Sequence, residues 1–168
     1  MAIDNDIQLQ MVILNDLNAI IDEVAGKLLK NLQDSIEEIV YDAGDPVWYE
    51  RQKMNKPQGG IQGSFDTSTA VTMGDKYVEA WIEHDPMSMK LDELKSIHTS
   101  RGNDVRSILA DIIINGNYDD EFYATDKYGF WREPRDFWEP FMKELNKNGN
   151  KFIESAFRMR GIVYKKIS

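Results

Sequence analysis

The sequence predicts an α+β fold: a long N-terminal helix, a small antiparallel sheet made of a hairpin and a candidate C-terminal strand, and two or three C-terminal helices packed with it. Three observations predict this. Residues 4–40 contain no proline and repeat apolar side chains at spacings of three and four. Residues 61–84 alternate apolar and polar side chains on both sides of Gly74 and Asp75. Helical spacing then returns after Asn103.

In the first segment Ile7, Met11, Leu14, Ile21, Ala25, Leu28, Leu32, Ile36 and Ile39 form one stripe, and Asp, Glu, Asn and Gln fill the other face. One long helix, or two pieces hinged at Gly26, satisfies the pattern. Asp4 and Asp6 suit the positive end of the helix dipole, and Asp42, Gly44 and Pro46 stop the helix. Residues 4–40 reach roughly 55 Å as a helix, whereas a globule of this chain length is about 40 Å across. A straight helix therefore outreaches its own domain. Its Ile, Leu and Met side chains need another subunit to cover them, unless the chain folds back at Gly26.

Residues 49–63 include Pro57, Gly59 and Gly60 and read as a loop. Residues 61–73 and 76–84 follow as the two strands of a hairpin turning at Gly74 and Asp75, and Asp85 with Pro86 ends it. A short helix is a candidate at residues 91–97. The next helix takes Asn103 or Asp104 as its N-cap, carries Val105, Ile108, Leu109, Ile112 and Ile113, and ends at Asn115 and Gly116. A loop over residues 117–134 leads to helices at about 135–145 and 150–160, which Gly149 separates, with Pro140 in the opening turns of the first or at a kink. Residues 161–167 form the candidate last strand. Residues 1–168 make a single α+β domain, in which residues 1–40 are a long acidic helix that serves as an extension or oligomerisation arm.

The chain holds 20 Lys and Arg against 29 Asp and Glu, a formal net charge of −9, and no cysteine. That composition excludes disulfides and thiol chemistry, and it disfavours general nucleic-acid binding, which requires an excess of Lys and Arg on one surface. No apolar run approaches the roughly 18 residues of a membrane span. The first six residues carry two Asp in place of the bases of a signal peptide, so a soluble, intracellular product is expected. The charge is also polarised. Residues 1–50 hold 11 acids and the two bases Lys27 and Lys30, while residues 143–168 hold seven bases and two acids. Such ends are either solvated faces or surfaces that attract the opposite ends of neighbouring copies.

The usual catalytic constellations are absent, so no catalytic residue, cofactor or metal is assigned and no enzyme is expected. His84 and His98 fall on different elements. Asp119, Asp120 and Glu121 are consecutive and point in different directions, a poor cation site. Residues 101–106 resemble a polar loop at a helix N-terminus, where Asp104 as a cap explains the pattern better than a bound anion does.

Aromatic residues stand out: nine of the chain's 18 lie in residues 118–141. Phe137, Phe141 and Leu145 have the spacing of a buried helical face. Tyr123, Tyr128, Trp131 and Trp138 cannot all share it, and with Arg132 and Arg135 they are the candidate interface, since aromatics and Arg anchor interfaces. Glu23, Glu37 and Glu38 are the candidate residues of an oligomerisation helix.

The order of segments carries a resemblance. A long N-terminal helix precedes Tyr49 and Arg51 and a Gly-containing lead into a hairpin. A helix ending Ile113-Ile114-Asn115-Gly116 follows, then the run from Arg132 through Pro134, Arg135, Phe137 and Pro140 to Phe141. This resembles the neck proteins of tailed bacteriophages, the head-tail joining or tail-completion family, with residues 114–116 and 134–137 as the matching positions. The resemblance implies a virion structural protein without catalysis. It implies a homo-oligomeric ring, six- or twelve-fold compatible, at the head-tail junction, made in the host cytoplasm. Its partners are the portal or adaptor and the tail-tube or tail-terminator proteins, and DNA passes through the channel without specific binding. Two other expectations stand beside it: a small phage-encoded binding module acting on a host protein, and a metal-dependent hydrolase or nuclease using residues 119–121.

Overall fold

Helix α1, Ala2–Ile36, is unbroken and runs on into a π-helical turn, Glu37–Tyr41. It passes through Gly26 with no hinge, so the fold-back left open by the sequence does not occur. A Cβ at Gly26 would meet nothing within 4 Å. The glycine stands in open space, and its cost of about 1 kcal/mol relative to alanine is small beside the cooperativity of so long a helix. After α1 come a 3-10 turn, Ile61–Ser64, strand β1, Phe65–Thr72, strand β2, Tyr77–His84, and a second 3-10 turn, Pro86–Ser88. Helices α2, Leu109–Asn115, and α3, Trp138–Met159, complete the order. The fold is α+β, as expected, with β1 and β2 in a two-stranded antiparallel sheet. The structure, a computed structural model, describes residues 2–42, 60–72, 77–89, 106, 109–115 and 134–163. The hairpin turn, the candidate helix at 91–97 and the cap at Asn103 or Asp104 lie outside them.

The chain divides into two compact units. Met1–Lys30, Thr67–Glu83 and Glu144–Ser168 form the first, Asn31–Asp66 and His84–Lys143 the second.

In the first unit Ile20, Val24 and Ala156 are buried together, with Leu28, Phe152, Ile153, Phe157 and Ile162 packed against them. Burial of apolar surface at about 25 cal/mol per Å² makes this seam between α1 and α3 the unit's main source of stability. Polar contacts lock it. Glu23 accepts from Lys27 Nζ at 2.7 Å and from Arg160 Nη1 at 2.6 Å, and Arg160 Nη2 also reaches the Ala19 carbonyl at 3.4 Å. The bond from Lys27, then that from Arg160, holds the Glu23 carboxyl below its usual value. The sheet adds its own polar contact, Ser68 Oγ donating to Glu83 at 2.9 Å, while Trp81 Nε1 also donates to Glu83.

Helix α3 corrects two expectations. It is one helix, not two, and it starts at Trp138 rather than near Arg135. Gly149 does not break it, because Phe141, Leu145, Gly149, Phe152 and Ala156 continue one stripe in phase. Side chains also brace the turns around the glycine: Asn148 donates to Glu144 at 2.6 Å and Lys151 to Asn148 at 2.8 Å. The real stop is Gly161, whose φ of 66° is left-handed. The Gly161 N–H donates to the Arg158 carbonyl at 3.0 Å and the Ile162 N–H to that of Phe157 at 3.1 Å, a Schellman motif with Ile162 as its apolar contact. Residues 161–163 therefore belong to a helix cap and not to a strand, and residues 164–167 lie outside the described residues.

In the second unit Leu32, Ile36 and Phe137 are fully buried, and Ile61, Met89, Ile113 and Phe141 nearly so. Gln62 Nε2 donates to the Gln33 carbonyl at 2.9 Å, tying the first 3-10 turn to α1. The Asp85 N–H donates to Ser64 O at 2.8 Å, which closes the base of the hairpin. There Phe65 stacks on His84 with ring centroids 4.7 Å apart and meets Phe137 edge-on at 6.2 Å. His84 Nε2 is buried and has no hydrogen-bond partner among the described residues.

Burial pushes the His84 pKa below its ordinary 6.5, and the carboxylates of Asp85 and Asp111 oppose the shift more weakly. The folded chain thus holds His84 neutral where the unfolded chain takes up a proton. The stability this contributes is whole above about pH 6.5 and is lost as pH falls through the lowered folded value. His84→Phe keeps an aromatic stack and removes the proton. Urea unfolding at pH 7.5 and 5.5 is expected to show a larger acid loss in the wild type than in the variant, and equal losses would contradict this.

Candidate interaction surface

The motif at residues 134–137 does structural work in the second unit. Neither α1 nor its π-helical turn has a base in its last turn, where the Asp42 N–H donates to the Glu37 carbonyl at 2.9 Å and carries no full charge. Arg135 supplies that charge from 95 residues away, its Nη1 donating to the Val40 carbonyl at 3.1 Å. Its backbone N–H donates to the Ile113 carbonyl, in the last turn of α2, at 2.8 Å. The next residue, Asp136, caps the start of α3, its Oδ1 accepting from the N–H groups of Trp138 at 2.9 Å and Glu139 at 3.0 Å. Two consecutive residues thus satisfy three helix ends. Pro140 then falls in the opening turn of α3, where its missing N–H is tolerated.

Arg135, offered by the sequence as an interface residue, is half-buried with these contacts made inside its own unit. Trp138 is 40% exposed and lies against Phe141 at 5.3 Å. Tyr123, Tyr128, Trp131 and Arg132 lie outside the described residues, as do residues 119–121. Of the acidic candidates, Glu23 is committed to Lys27 and Arg160 in the first unit. In the second unit Glu37 is half-buried and engaged, and Glu38 is exposed. Arg106 donates to the Met89 carbonyl at 2.9 Å; residues 101–105 lie outside the described residues. Among the described residues no group of three or more His, Asp or Glu is placed to hold a metal ion, and no helix is long and apolar enough to cross a membrane.

The first turns of α1 carry the exposed apolar side chains expected of an overhanging helix: Ile7 and Met11 of the predicted stripe, and also Leu9, Val12 and Ile13, which that stripe leaves out. Leu9 is 59% exposed, Val12 57%, and Ile7, Met11 and Ile13 each 49%. Six of the eight residues at 7–14 are apolar, more than one helical face holds, and that density was the available signal. The polar contact and core cluster of α1 with α3 run from Ala19 onward, Leu14 upstream of them is still buried, and the side chains at Ile7, Leu9, Met11, Val12 and Ile13 face solvent.

Arg135→Gln removes the guanidinium from the end of α1 and spares the backbone bond to Ile113. Denaturant unfolding is expected to show a loss of about 1–2 kcal/mol, with Arg135→Lys losing less because it keeps the charge. A wild-type midpoint in Arg135→Gln would contradict the capping role.

Searches of curated proteins and of solved structures return no match to this chain. The YomN family model matches residues 5–159, from the first turn of α1 to the last residue of α3. The chain therefore belongs to the YomN family, a phage-derived family of the SPbeta prophage type.

Proposed function

We propose that this is a virion structural protein of the phage neck, several copies of which form a ring that joins head to tail. The ring, six- or twelve-fold compatible, sits between the portal or adaptor and the tail-tube or tail-terminator proteins. DNA passes through it without specific binding, and no reaction is catalysed. The protein is found in the virion, and in the infected cell while particles assemble.

The observation that carries this reading is an exposed apolar arm on a chain of a phage-derived family. Side chains as large as Leu9, Val12 and Ile13 gain by leaving water, and a neighbouring subunit provides the means. Two further points support it. One of the two segments that resemble neck proteins, residues 134–137, is bonded through the Arg135 N–H to the Ile113 carbonyl, the residue just before the other, residues 114–116. The net charge of −9 suits a channel wall to which DNA does not adhere, because like charges repel.

Negative-stain images of the purified protein are expected to show rings, and gold label against it is expected to decorate the head-tail junction of particles. Absence of rings in every condition, with no label at the neck, would overturn the reading.

A further inference from the structure

We infer that the exposed first turns of α1 dock on the basic outer side of α3 in a second copy of the chain, making a head-to-tail contact that repeats. This rests on the self-association proposed above and names the two surfaces that make it.

The first surface is an extension of the seam inside the first unit. Leu9 and Ile13 continue the line of Ile20, Val24 and Leu28 at helical spacings, and Val12 lies beside them. The core formed with α3 takes in Ile20, Val24 and Leu28 of that line, while Leu9, Val12 and Ile13 are about half exposed or more. Ile7 and Met11 are exposed as well but lie around the other side of the helix, so Leu9, Val12 and Ile13 make up the patch. Residues 7–15 carry no charge, and the exposed Asp16 stands at the edge of the patch on the same side of the helix as Leu9. No Lys or Arg occurs in residues 1–26, so the patch has an acidic setting with no local counter-charge.

The second surface has the opposite sign. Lys147, Lys151 and Arg158 are exposed and share one side of α3 at spacings of four and seven, and the half-buried Glu144 and Glu154 lie on the same side, so that exposed bases outnumber the acids there. That side is roughly opposite the Phe152 and Ala156 face that packs on α1. At its end Met159 is 62% exposed and Val163 97% exposed. A basic stripe ending in apolar side chains complements an apolar patch edged by acid.

The two surfaces cannot meet within one copy, because α3 already lies on α1 by its other side. Packing two α1 arms together instead would bring acidic flanks against each other. Charge therefore selects the α3 of a second copy as occupant, and since every copy carries both surfaces the contact is heterologous and propagates until a ring closes.

Mass photometry and sedimentation of three proteins test this: the wild type, an arm variant with Leu9→Gln, Val12→Gln and Ile13→Gln, and a stripe variant with Lys147→Glu, Lys151→Glu and Arg158→Glu. The substituted side chains are at the surface, and circular dichroism with thermal unfolding checks that each variant folds. Each variant alone is expected to lose assembly, its dissociation constant rising at least about tenfold. Mixed one to one, the variants retain one intact pair of surfaces and are expected to form a dimer that grows no further. Assembly of the wild type is expected to weaken with added salt. Rings that persist in both variants would overturn this contact and leave the ring reading standing. Open chains in the wild type that both variants abolish would keep this contact and remove the ring. Assembly that salt strengthens, or a wild type that stays monomeric, would also overturn it.

Discussion

The packing of α3 on α1 in the first unit sets the terms for the rest of the molecule. Ile20, Val24 and Ala156 are its centre, and the Glu23 carboxylate, held by Lys27 and Arg160, fixes where it stops. The Schellman turn at Gly161 ends α3 there and folds Ile162 back onto the seam. Helix α1 does not stop with it. Its apolar side chains continue toward the N-terminus past Ala19, where Leu14 is still buried and Ile7, Leu9, Met11, Val12 and Ile13 are about half exposed. The excess of apolar helix over the surface available to cover it is the constraint from which the functional reading follows.

A second arrangement governs the other unit. Arg135 and Asp136 serve the ends of α1, α2 and α3 through short hydrogen bonds, and Phe137 beside them is fully buried against Phe65. Charge and backbone geometry are complementary at each end: a cation at α1's last carbonyls, a backbone donor at α2's, and a carboxylate at α3's first N–H groups. Within the segment that carries the likeness to neck proteins, Arg135, Asp136 and Phe137 are thus explained by local physical chemistry.

Much of the fold could be read from the sequence, because long apolar periodicity at spacings of three and four, and alternation across a turn signal, report on burial directly. The long helix and the hairpin follow from it. Gly149 shows where such reading fails: the breaking tendency of one glycine was weighed as decisive, although the stripe through Leu145, Gly149 and Phe152 stays in phase and buries more than the glycine forfeits. Arg135 shows a different limit. Aromatic neighbours made it look like an interface residue, and its role as a cap depends on a carbonyl 95 residues away that no local pattern reveals. For the arm, helix length against domain width predicts exposed apolar side chains, and the crowding of six apolar residues into residues 7–14 adds Leu9, Val12 and Ile13 to the stripe of Ile7, Met11 and the buried Leu14. The charge of Glu23 marks it as a candidate assembly residue, and the pair it makes with Arg160, 137 residues away, is a contact that no local pattern reveals.

Burial of the α1 arm by neighbouring copies is the central claim, and amide hydrogen exchange measured across a concentration series tests it most directly. Leu9, Val12 and Ile13 are about half exposed or more in the isolated chain, so the amides of the arm are expected to open readily when the protein is dilute. At concentrations where assemblies form, protection is expected to rise at residues 7–15 and along the outer side of α3, while residues 20–28 stay protected throughout. Protection of residues 7–15 that is the same in monomer and assembly would contradict the account.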